Sequence, residues 1–399
     1  MKRFGRTLLQ HWPLEPQTTY LNHGTVGVTP WRVLGAQQAI CEEIERQPAR
    51  YLLRELSGLS GESELAQPRL WAAAQEVAEF LGAKGDDLVF VGNATTGVNA
   101  VLRSLEFQEG DEILVPNLAY GAVANAAAFV ARERGARVVR FDLPFPASDP
   151  GQHVEAVERA LTPRTKLAIL DHLTSETALI LPLAEMAARC HARGVPVLAD
   201  GAHAPGQIPV DIPSLGVDWY AGNLHKWAFA PRGCGILWAA PERQKDLHPP
   251  VISWGLDQGF AQEFDWVGTQ DPSAYLAAPE GIKFMQEFLG PEAMREYNHA
   301  LAWKAVQMFT ERWGLELKTQ EAMIGSMVTL PLPGEGDSSR EEAARLKDWL
   351  LFERHIEVPI MAMGGRLWAR ISAQVYNDVE DLERFAGAVE VWLGRSSLV

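Results

Sequence analysis

The sequence has few cysteines, and they are widely separated. Cys41, Cys190 and Cys234 are the three cysteines among 399 residues. Zinc sites and disulfide frameworks need closely spaced or paired cysteines, so the sequence predicts neither of them and no metal site. A reducing compartment suits such a chain, and we expect a cytoplasmic protein.

Basic residues and long apolar runs are also scarce. Lysine and arginine number 36 against 51 aspartates and glutamates, which gives a net charge of -15. Nucleic-acid binding requires positive charge to neutralise phosphates, so no nucleic-acid partner is expected. The N-terminal residues develop no apolar core of a secretion signal, and no apolar run is long enough to cross a bilayer. We therefore expect no membrane partner.

A regular alternation of two patterns fills residues 85 to 240. Short apolar runs rich in β-branched residues alternate with alanine-rich stretches of helical period, as in βα units around a mostly parallel sheet. The predicted strands are residues 88–92, 112–116, 137–143, 166–171 and 196–200. The predicted helices between them are residues 95–105, 121–134, 154–161 and 183–193. This order predicts an α/β fold.

The pattern changes beyond about residue 275. Helices are predicted at residues 278–288, 303–313 and 379–392, and strands at residues 322–332 and 366–372. We therefore predict a large domain over residues 20–275 and a smaller α+β domain over residues 276–399, on which residues 1–19 pack.

Residues 199–238 contain the most specific chemical pattern. Asp200 ends an apolar strand, where α/β sheets bind ligands, and Lys226 follows a second short apolar run. Pyridoxal phosphate requires such a pair, because a carboxylate keeps its ring nitrogen protonated and a lysine amine holds its aldehyde as an imine. We predict these roles for Asp200 and Lys226. Once released, Lys226 would act as the base at the substrate α-carbon.

With these motifs the chain resembles the class V aminotransferase family of pyridoxal-phosphate enzymes, and within it most of all the isopenicillin N epimerase branch. The likeness extends from LNHGTVG, residues 21–27, to ARISAQVYN, residues 369–377. It implies the cofactor pyridoxal 5'-phosphate and the PLP-dependent transferase fold type I, with a large and a smaller domain. It also implies an amino-acid or peptide-like substrate and a homodimer with shared active sites.

The resemblance further implies which residues bind the cofactor. The segment GNATTGVN, residues 92–99, follows a strand and opens a helix, so its amides and hydroxyls suit a phosphate. The implied phosphate ligands are Ala94, Thr95, Thr96, Asn223 and His225, with Thr269 reaching the phosphate of the neighbouring subunit. Tyr120 is implied as the catalytic aromatic residue on the cofactor face, and His203 as a contact of the phenolic oxygen.

The resemblance also implies the substrate side of the site. Arg370 matches the arginine that binds the substrate carboxylate, for which a planar guanidinium is suited. Asn22 and His23 match the substrate-side loop near the N-terminus.

The reaction is less specified than the cofactor. A cysteine desulfurase of this family needs a nucleophilic cysteine late in the chain, and no cysteine follows Cys234. The first hypothesis is therefore an epimerase or racemase, and the alternatives are a carbon–sulfur β-lyase and an aminotransferase. An epimerase requires a second proton donor opposite Lys226, for which Tyr120 and His23 are the possibilities.

Two hypotheses of other classes are less favoured. A non-catalytic pyridoxal-phosphate sensor would carry a DNA-binding segment, and no helix-turn-helix pattern is present. A dinucleotide oxidoreductase would carry GxGxxG after its first strand, which is also missing.

Overall fold

The computed structural model describes residues 4–57, 63–334 and 338–396. Its strands are β1 (Thr19–Tyr20), β2 (Leu88–Val91), β3 (Glu112–Pro116), β4 (Arg137–Phe141), β5 (Thr165–Asp171), β6 (Val197–Gly201), β7 (Trp219–Asn223), β8 (Gly235–Ala239), β9 (Met327–Pro331), β10 (Ile356–Glu357), β11 (Ile360–Met363) and β12 (Arg366–Ser372).

The helices enclose this framework of strands. They are α1 (His23–Val26), α2 (Trp31–Arg46), α3 (Pro48–Arg50), α4 (Arg69–Phe80), α5 (Ala94–Ser104), α6 (Gly121–Arg134), α7 (Gly151–Ala160), α8 (Leu183–His191), α9 (Phe260–Asp265), α10 (Ser273–Leu276), α11 (Ala278–Lys283), α12 (Pro291–Trp313), α13 (Arg340–Arg354) and α14 (Val379–Ser396). Within the described ranges, none of them combines the length and apolar character that crossing a membrane requires.

A seven-stranded sheet forms the centre of the molecule, in the order β2-β8-β7-β6-β5-β3-β4. Strand β8 runs antiparallel to its neighbours β2 and β7, and the other neighbouring strands are parallel. Apolar side chains are buried in core clusters built from the sheet and its helices. The predicted α/β fold with a mostly parallel central sheet is confirmed.

Most predicted elements of this sheet are present, and two strands are additional. Strands β2 to β6 each begin and end within two residues of the predicted limits. The sequence pattern does not predict β7 and β8 as strands. Every residue of both is buried, so apolar and polar side chains do not alternate, and each short run contains a glycine.

Parallel pairing brings three carboxyl strand ends together. Asp171 of β5 is the register partner of Asp200 of β6, which is in turn the partner of Ala221 of β7. Helix α5 begins at the same edge, because the Ala94 N–H donates to Asn223 Oδ1 at the end of β7 over 2.8 Å. The predicted ligand-binding edge of the sheet therefore gathers residues from four segments.

The C-terminal part forms its own layer around the sheet β11-β12-β9. Helices α12, α13 and α14 share an apolar cluster with this sheet. Strand β1 pairs with β10, and Asp381 of α14 accepts hydrogen bonds from Arg6 Nη1 at 2.6 Å and Thr19 Oγ1 at 3.1 Å. The domain limits stay a prediction, and residues 1–3, 58–62, 335–337 and 397–399 lie outside the described ranges.

Gly201 is required where β6 ends beside the ring of Tyr220. A Cβ atom at Gly201 would lie 2.1 Å from the ring carbon Cζ of Tyr220. Tyr220 is fully buried, and its hydroxyl is 3.0 Å from His172 Nδ1, so the ring has no room to move. A side chain at this position would displace either the ring or Asp200, the preceding residue.

We expect Gly201→Ala to lower the free energy of unfolding by about 1–3 kcal/mol, the usual cost of overpacking a core. Gly35→Ala is the control, because a Cβ at Gly35 in α2 meets no atom within 4 Å. Alanine is favoured over glycine in a helix, so this control is expected to unfold at or above the wild-type temperature. Calorimetry would measure the unfolding of both variants. An unchanged melting temperature for Gly201→Ala would contradict the packing argument.

Candidate active site

Lys226 lies in the turn that joins β7 to β8, at the carboxyl edge of the sheet. Its Nζ atom is 3.1 Å from His203 Nε2, and its neighbours Leu224 and Trp227 are buried. Burial lowers the pKa of Lys226 to about 8, as does the charge of Arg370, whereas Asp200 acts in the opposite direction. A substantial fraction of this amine is therefore neutral near physiological pH, as a nucleophile or base requires.

Asp200 is a buried carboxylate at the end of β6. Its Oδ1 atom accepts a hydrogen bond from the Ala202 N–H at 3.0 Å. Burial raises the pKa of Asp200, which the Ala202 N–H and Lys226 partly oppose. Within the described residues, no Lys, Arg or His nitrogen lies within 4.0 Å of this carboxylate. A protonated ring nitrogen would supply the cation that Asp200 lacks.

His203 lies between Lys226 and Ser175 with one ring nitrogen unsatisfied. Its Nε2 atom is near Lys226 Nζ and is 3.3 Å from Ser175 Oγ, whereas its buried Nδ1 has no partner in the described part of the chain. Burial lowers the pKa of His203 well below its usual value, so the ring is neutral. A buried ring nitrogen without a partner suits the predicted contact with a cofactor.

The N-terminus of α5 is partly satisfied by the protein itself. Asn93 Oδ1 accepts the Thr96 N–H at 2.9 Å and the Thr96 hydroxyl at 3.2 Å, and Asn223 Oδ1 accepts the Ala94 N–H. In the described ranges, no hydrogen bond occupies the Thr95 N–H. The positive end of the helix dipole and this amide suit an anion. Asn223 and Thr96 therefore hold the loop, and their contacts to a phosphate stay predictions.

His225 has one ring nitrogen engaged. Its Nδ1 donates to the Cys234 carbonyl at 2.8 Å. Burial lowers the pKa of His225 to about 4, so the ring is neutral and Nε2 is its acceptor nitrogen. A phosphate contact through a neutral Nε2 requires a protonated phosphate oxygen as donor, and this contact also stays a prediction.

Tyr120 and Thr269 lie at the periphery of this cluster in the single chain. Tyr120 directly precedes α6 in the loop after β3, and 49% of its surface is exposed. Thr269 is exposed in the segment after α9. Within the described residues, neither side chain hydrogen-bonds to Lys226 or Asp200. The predicted stacking of Tyr120, and the reach of Thr269 into a neighbouring subunit, stay predictions.

Arg370 on β12 is a buried guanidinium that forms no ion pair with any carboxylate of the described residues. Its Nη1 donates to the Ser175 carbonyl at 2.6 Å, and its Nη2 donates to Thr25 Oγ1 at 2.7 Å. Its buried Nε has no partner among the described residues. Burial lowers the pKa of Arg370 to about 10, so it stays charged at neutral pH. An uncompensated buried cation with a free N–H suits the carboxylate of a substrate.

The two residues predicted for the substrate-side loop differ in their contacts. Asn22 Nδ2 donates to Glu357 Oε1 at 3.2 Å, beside the Thr25 hydroxyl that accepts from Arg370. His23 is buried, and both of its ring nitrogens are engaged, by the Tyr376 hydroxyl at 2.8 Å and the Lys226 carbonyl at 3.0 Å. Both ring nitrogens are therefore engaged by the protein, and the predicted substrate contact of His23 stays a prediction.

Sequence reasoning missed several residues of this cluster. Thr25 lies inside the motif LNHGTVG, so a hydroxyl two residues after His23 was a usable signal. Ser175 contributes mainly a backbone carbonyl, and Asp171 joins Asp200 only through strand register. The pKa of Asp171 is raised well above its usual value by burial and by Asp200, which favours its protonated form. Local patterns do not reveal such contacts.

Taken together, the residues present fit pyridoxal phosphate. Four features converge at one edge of the sheet: a partly neutral lysine amine, a buried carboxylate, a helix N-terminus and a buried arginine. In the part of the chain that the structure describes, the carboxylate has no cation, the arginine has no anion and one amide of the helix N-terminus has no acceptor. Lys226 would hold the aldehyde, Asp200 the ring nitrogen, the α5 N-terminus the phosphate and Arg370 the substrate carboxylate.

Comparison with known proteins agrees with the cofactor, and the roles of the individual residues stay predictions. The family model described as Aminotransferase class-V matches residues 29–385. A protein named putative L-cysteine desulfhydrase 1 from Oryza sativa subsp. japonica is 34% identical over 92% of this chain and 82% of its own. A protein named isopenicillin N epimerase from Streptomyces clavuligerus is 32% identical over 96% of both chains.

Solved structures share the fold. A C-DES variant with glycine covalently linked to its PLP cofactor has a TM-score of 0.80 and 21% identity, over 96% of this chain and 98% of its own. The cysteine desulfurase CsdA from Escherichia coli has a TM-score of 0.75 and 21% identity, over 97% of this chain and 98% of its own. At this identity the likeness concerns the fold alone.

Lys226→Ala is expected to abolish covalent attachment of pyridoxal phosphate. Protein mixed with the cofactor would be reduced with borohydride and digested, and mass spectrometry would locate the added mass. We expect the label on the peptide that contains Lys226 in the wild type. The same label is expected in the control Lys166→Ala, whose lysine is exposed on β5. Equal labelling of another lysine in Lys226→Ala would contradict the assignment.

Arg370→Gln is expected to weaken binding of an amino-acid carboxylate by about 2–5 kcal/mol, the range for losing one partner of a buried charged pair. It is also expected to raise the pKa of Lys226 above about 8, because Arg370 lowers that pKa. The pH dependence of cofactor attachment to the apoprotein would measure this shift, towards higher pH. Arg366→Gln, exposed on the same strand, is the control. An unshifted profile in Arg370→Gln would contradict the electrostatic argument.

Proposed function

The chain belongs to the class-V aminotransferase family of pyridoxal-phosphate enzymes, and we propose that it is a carbon–sulfur β-lyase acting on an amino acid with a free α-carboxylate. The observation that carries removal of the α-proton is the reactive amine of Lys226, whose pKa is lowered by burial and by Arg370 and raised by Asp200. The choice of elimination is supported by the relatives named L-cysteine desulfhydrase. When bound, pyridoxal phosphate supplies an electron-accepting ring that stabilises negative charge at the substrate α-carbon.

The residues of this chain then have distinct tasks. Arg370 holds the substrate carboxylate through its free N–H groups. Lys226 Nζ takes the α-proton, because burial lowers its pKa to about 8 and makes its neutral form accessible near neutral pH. Asp200 keeps a proton on the ring nitrogen. His203 is neutral and buried beside Lys226, so it adds no competing positive charge near the amine.

Elimination needs fewer proton-transfer groups than epimerisation. One base removes the α-proton, and the thiolate leaves with the electrons of the carbon–sulfur bond. With L-cysteine, hydrolysis of the remaining fragment gives pyruvate and ammonia, and no oxidant is needed. A route in which a cysteine late in the chain accepts the sulfur as a persulfide is not supported. Cys234 is fully buried, and no cysteine follows it. The relatives named L-cysteine desulfhydrase support the elimination.

Epimerisation is the second candidate. A relative named isopenicillin N epimerase matches 96% of both chains, and Tyr120 offers a half-exposed hydroxyl that could serve as the opposite proton donor. The other possible donor, His23, has both nitrogens engaged, and burial lowers its pKa to about 4. Epimerisation therefore depends on Tyr120, whereas elimination does not.

We also propose a homodimer with shared active sites. An apolar segment shortly before Thr269 is strongly exposed in the single chain: the exposed fractions are 57% for Val251, 55% for Ile252 and 80% for Trp254. Clustered apolar side chains on a surface are typical of an interface. The cytoplasmic location stays a prediction.

The outcome is testable with holoenzyme in deuterated water. Incubation with L-cysteine is expected to release sulfide and pyruvate in equal amounts, and Lys226→Ala is expected to release neither. In parallel, L- and D-alanine report α-proton exchange and inversion by NMR and chiral chromatography. Inversion without sulfide, lost selectively in Tyr120→Phe, would favour the epimerase over the lyase. Absence of both exchange and sulfide would contradict both candidates.

A further inference from the structure

Residues 22–27, which we name the N-terminal bridge, lie between the turn that carries Lys226 and the strand that carries Arg370. The bridge is tied to β12, because Asn22 forms a parallel bridge with Ser372 and the Ser372 N–H donates to the Leu21 carbonyl at 2.9 Å. In its α1 turn, His23 and Thr25 are two residues apart, a rotation of about 200° in an α-helix, so their side chains point to opposite sides. These contacts are all formed within the protein and do not involve the cofactor.

One side of the bridge holds the Lys226 backbone through His23. Burial lowers the pKa of His23 to about 4, so the ring is neutral and carries one proton. The Lys226 carbonyl can only accept, which places that proton on Nε2, over 3.0 Å. Nδ1 must then accept from the Tyr376 hydroxyl at 2.8 Å. The two contacts select a single tautomer and a single ring orientation.

The bridge and the lysine turn also touch through their backbones. A Cβ at Gly27 would lie 1.9 Å from the His225 carbonyl oxygen and 2.9 Å from Lys226 Cα. The His23 ring packs on Trp227, with the ring centroids 4.9 Å apart. The position of the bridge therefore restricts where the Lys226 backbone can lie.

The other side of the bridge holds Arg370 through Thr25. The Thr25 hydroxyl accepts from Arg370 Nη2 at 2.7 Å and donates to Asn22 Oδ1. This hydroxyl is one of two fixed acceptors of the guanidinium, the other being the Ser175 carbonyl. A single short segment thus contacts both the residue that would bind the substrate carboxylate and the residue that would remove the α-proton.

We infer that His23 is a positioning residue that sets the direction of Lys226, and that the N-terminal bridge fixes the distance between this amine and the carboxylate-binding Arg370. The inference deepens the proposed function, because it requires Lys226 to act as the base. It does not depend on whether elimination or epimerisation follows.

Two amide variants each reproduce the position of one ring nitrogen of His23. In His23→Gln, the side-chain amide lies near the position of Nε2 and can donate to the Lys226 carbonyl. In His23→Asn, the shorter amide lies near Nδ1 and reaches Tyr376 but not Lys226. Glutamine is one methylene longer than asparagine and fills more of the buried space beside Trp227. His23→Met, which is close to glutamine in size but has no N–H donor, is therefore the packing control and is expected to lose both rates as His23→Asn does.

Two measurements test the inference. The first is the rate at which added pyridoxal phosphate attaches to Lys226 in the apoprotein, followed by absorbance across pH. The second is kcat and KM for α-proton exchange of L-alanine by the holoenzyme. We expect His23→Asn to lower kcat by about 10- to 100-fold with little change in KM, the scale of a misplaced reacting group, and to slow attachment. We expect His23→Gln to recover most of both rates.

Thr25 provides the matched change at the other end of the bridge. Thr25→Val removes the acceptor of Arg370 Nη2 and is expected to raise KM for exchange, with cofactor attachment at the wild-type rate. Thr25→Ser keeps the hydroxyl and is expected to restore KM. A melting curve of each apoprotein identifies any variant that fails to fold.

The outcomes separate the inference from the proposed function. If the wild type exchanges no α-proton while His23→Asn still slows cofactor attachment and His23→Gln does not, the proposed function fails and the positioning role stands. If the wild type exchanges and His23→Asn matches it in both rates, the positioning role is overturned. Equal rates in His23→Met and His23→Gln would also overturn it, because the hydrogen bond to the Lys226 carbonyl would then contribute nothing and packing alone would explain the losses.

Discussion

The site depends on keeping one primary amine out of water, within the electrostatic influence of a buried carboxylate and a buried guanidinium. Burial disfavours the charged form of Lys226, and Arg370 adds to this effect, whereas Asp200 partly opposes it. The result is an amine that changes protonation state near neutral pH. Neither Asp200 nor Arg370 has an ion-pair partner in the described residues, so both are stabilised when cofactor and substrate supply the missing charges.

The topology of the sheet explains how these groups meet. Parallel strands place Asp171, Asp200 and Asn223 at one edge, and the antiparallel return of β8 creates the turn that carries Lys226. Arg370 comes from a different sheet, and it is linked to the edge by the Ser175 carbonyl and the N-terminal bridge. Three distant parts of the chain therefore define the spacing between amine and carboxylate site.

Relatives named for different reactions are similar to this chain along most of its length. The cofactor can therefore be assigned without deciding the reaction. Relatives named L-cysteine desulfhydrase and isopenicillin N epimerase have similar identity to this chain. Asp200, Lys226 and Arg370 serve any reaction that begins with loss of the α-proton. The outcome depends on which group faces the α-carbon opposite Lys226 and on whether a leaving group occupies the β-carbon. A change of reaction therefore requires changes to few side chains and little change to the backbone.

The sequence alone determined the cofactor class and most of the central strands, and it predicted the pair Asp200 and Lys226, because residue type, local period and strand-end position are properties of short segments. It did not predict β7 and β8, since strands buried on both faces lack alternation. Only the tertiary structure decided which polar atoms stay unsatisfied. The ring of His23 is saturated by Tyr376 and Lys226, whereas Arg370 keeps a free N–H. Saturation depends on groups far apart in the chain, and no local pattern encodes it.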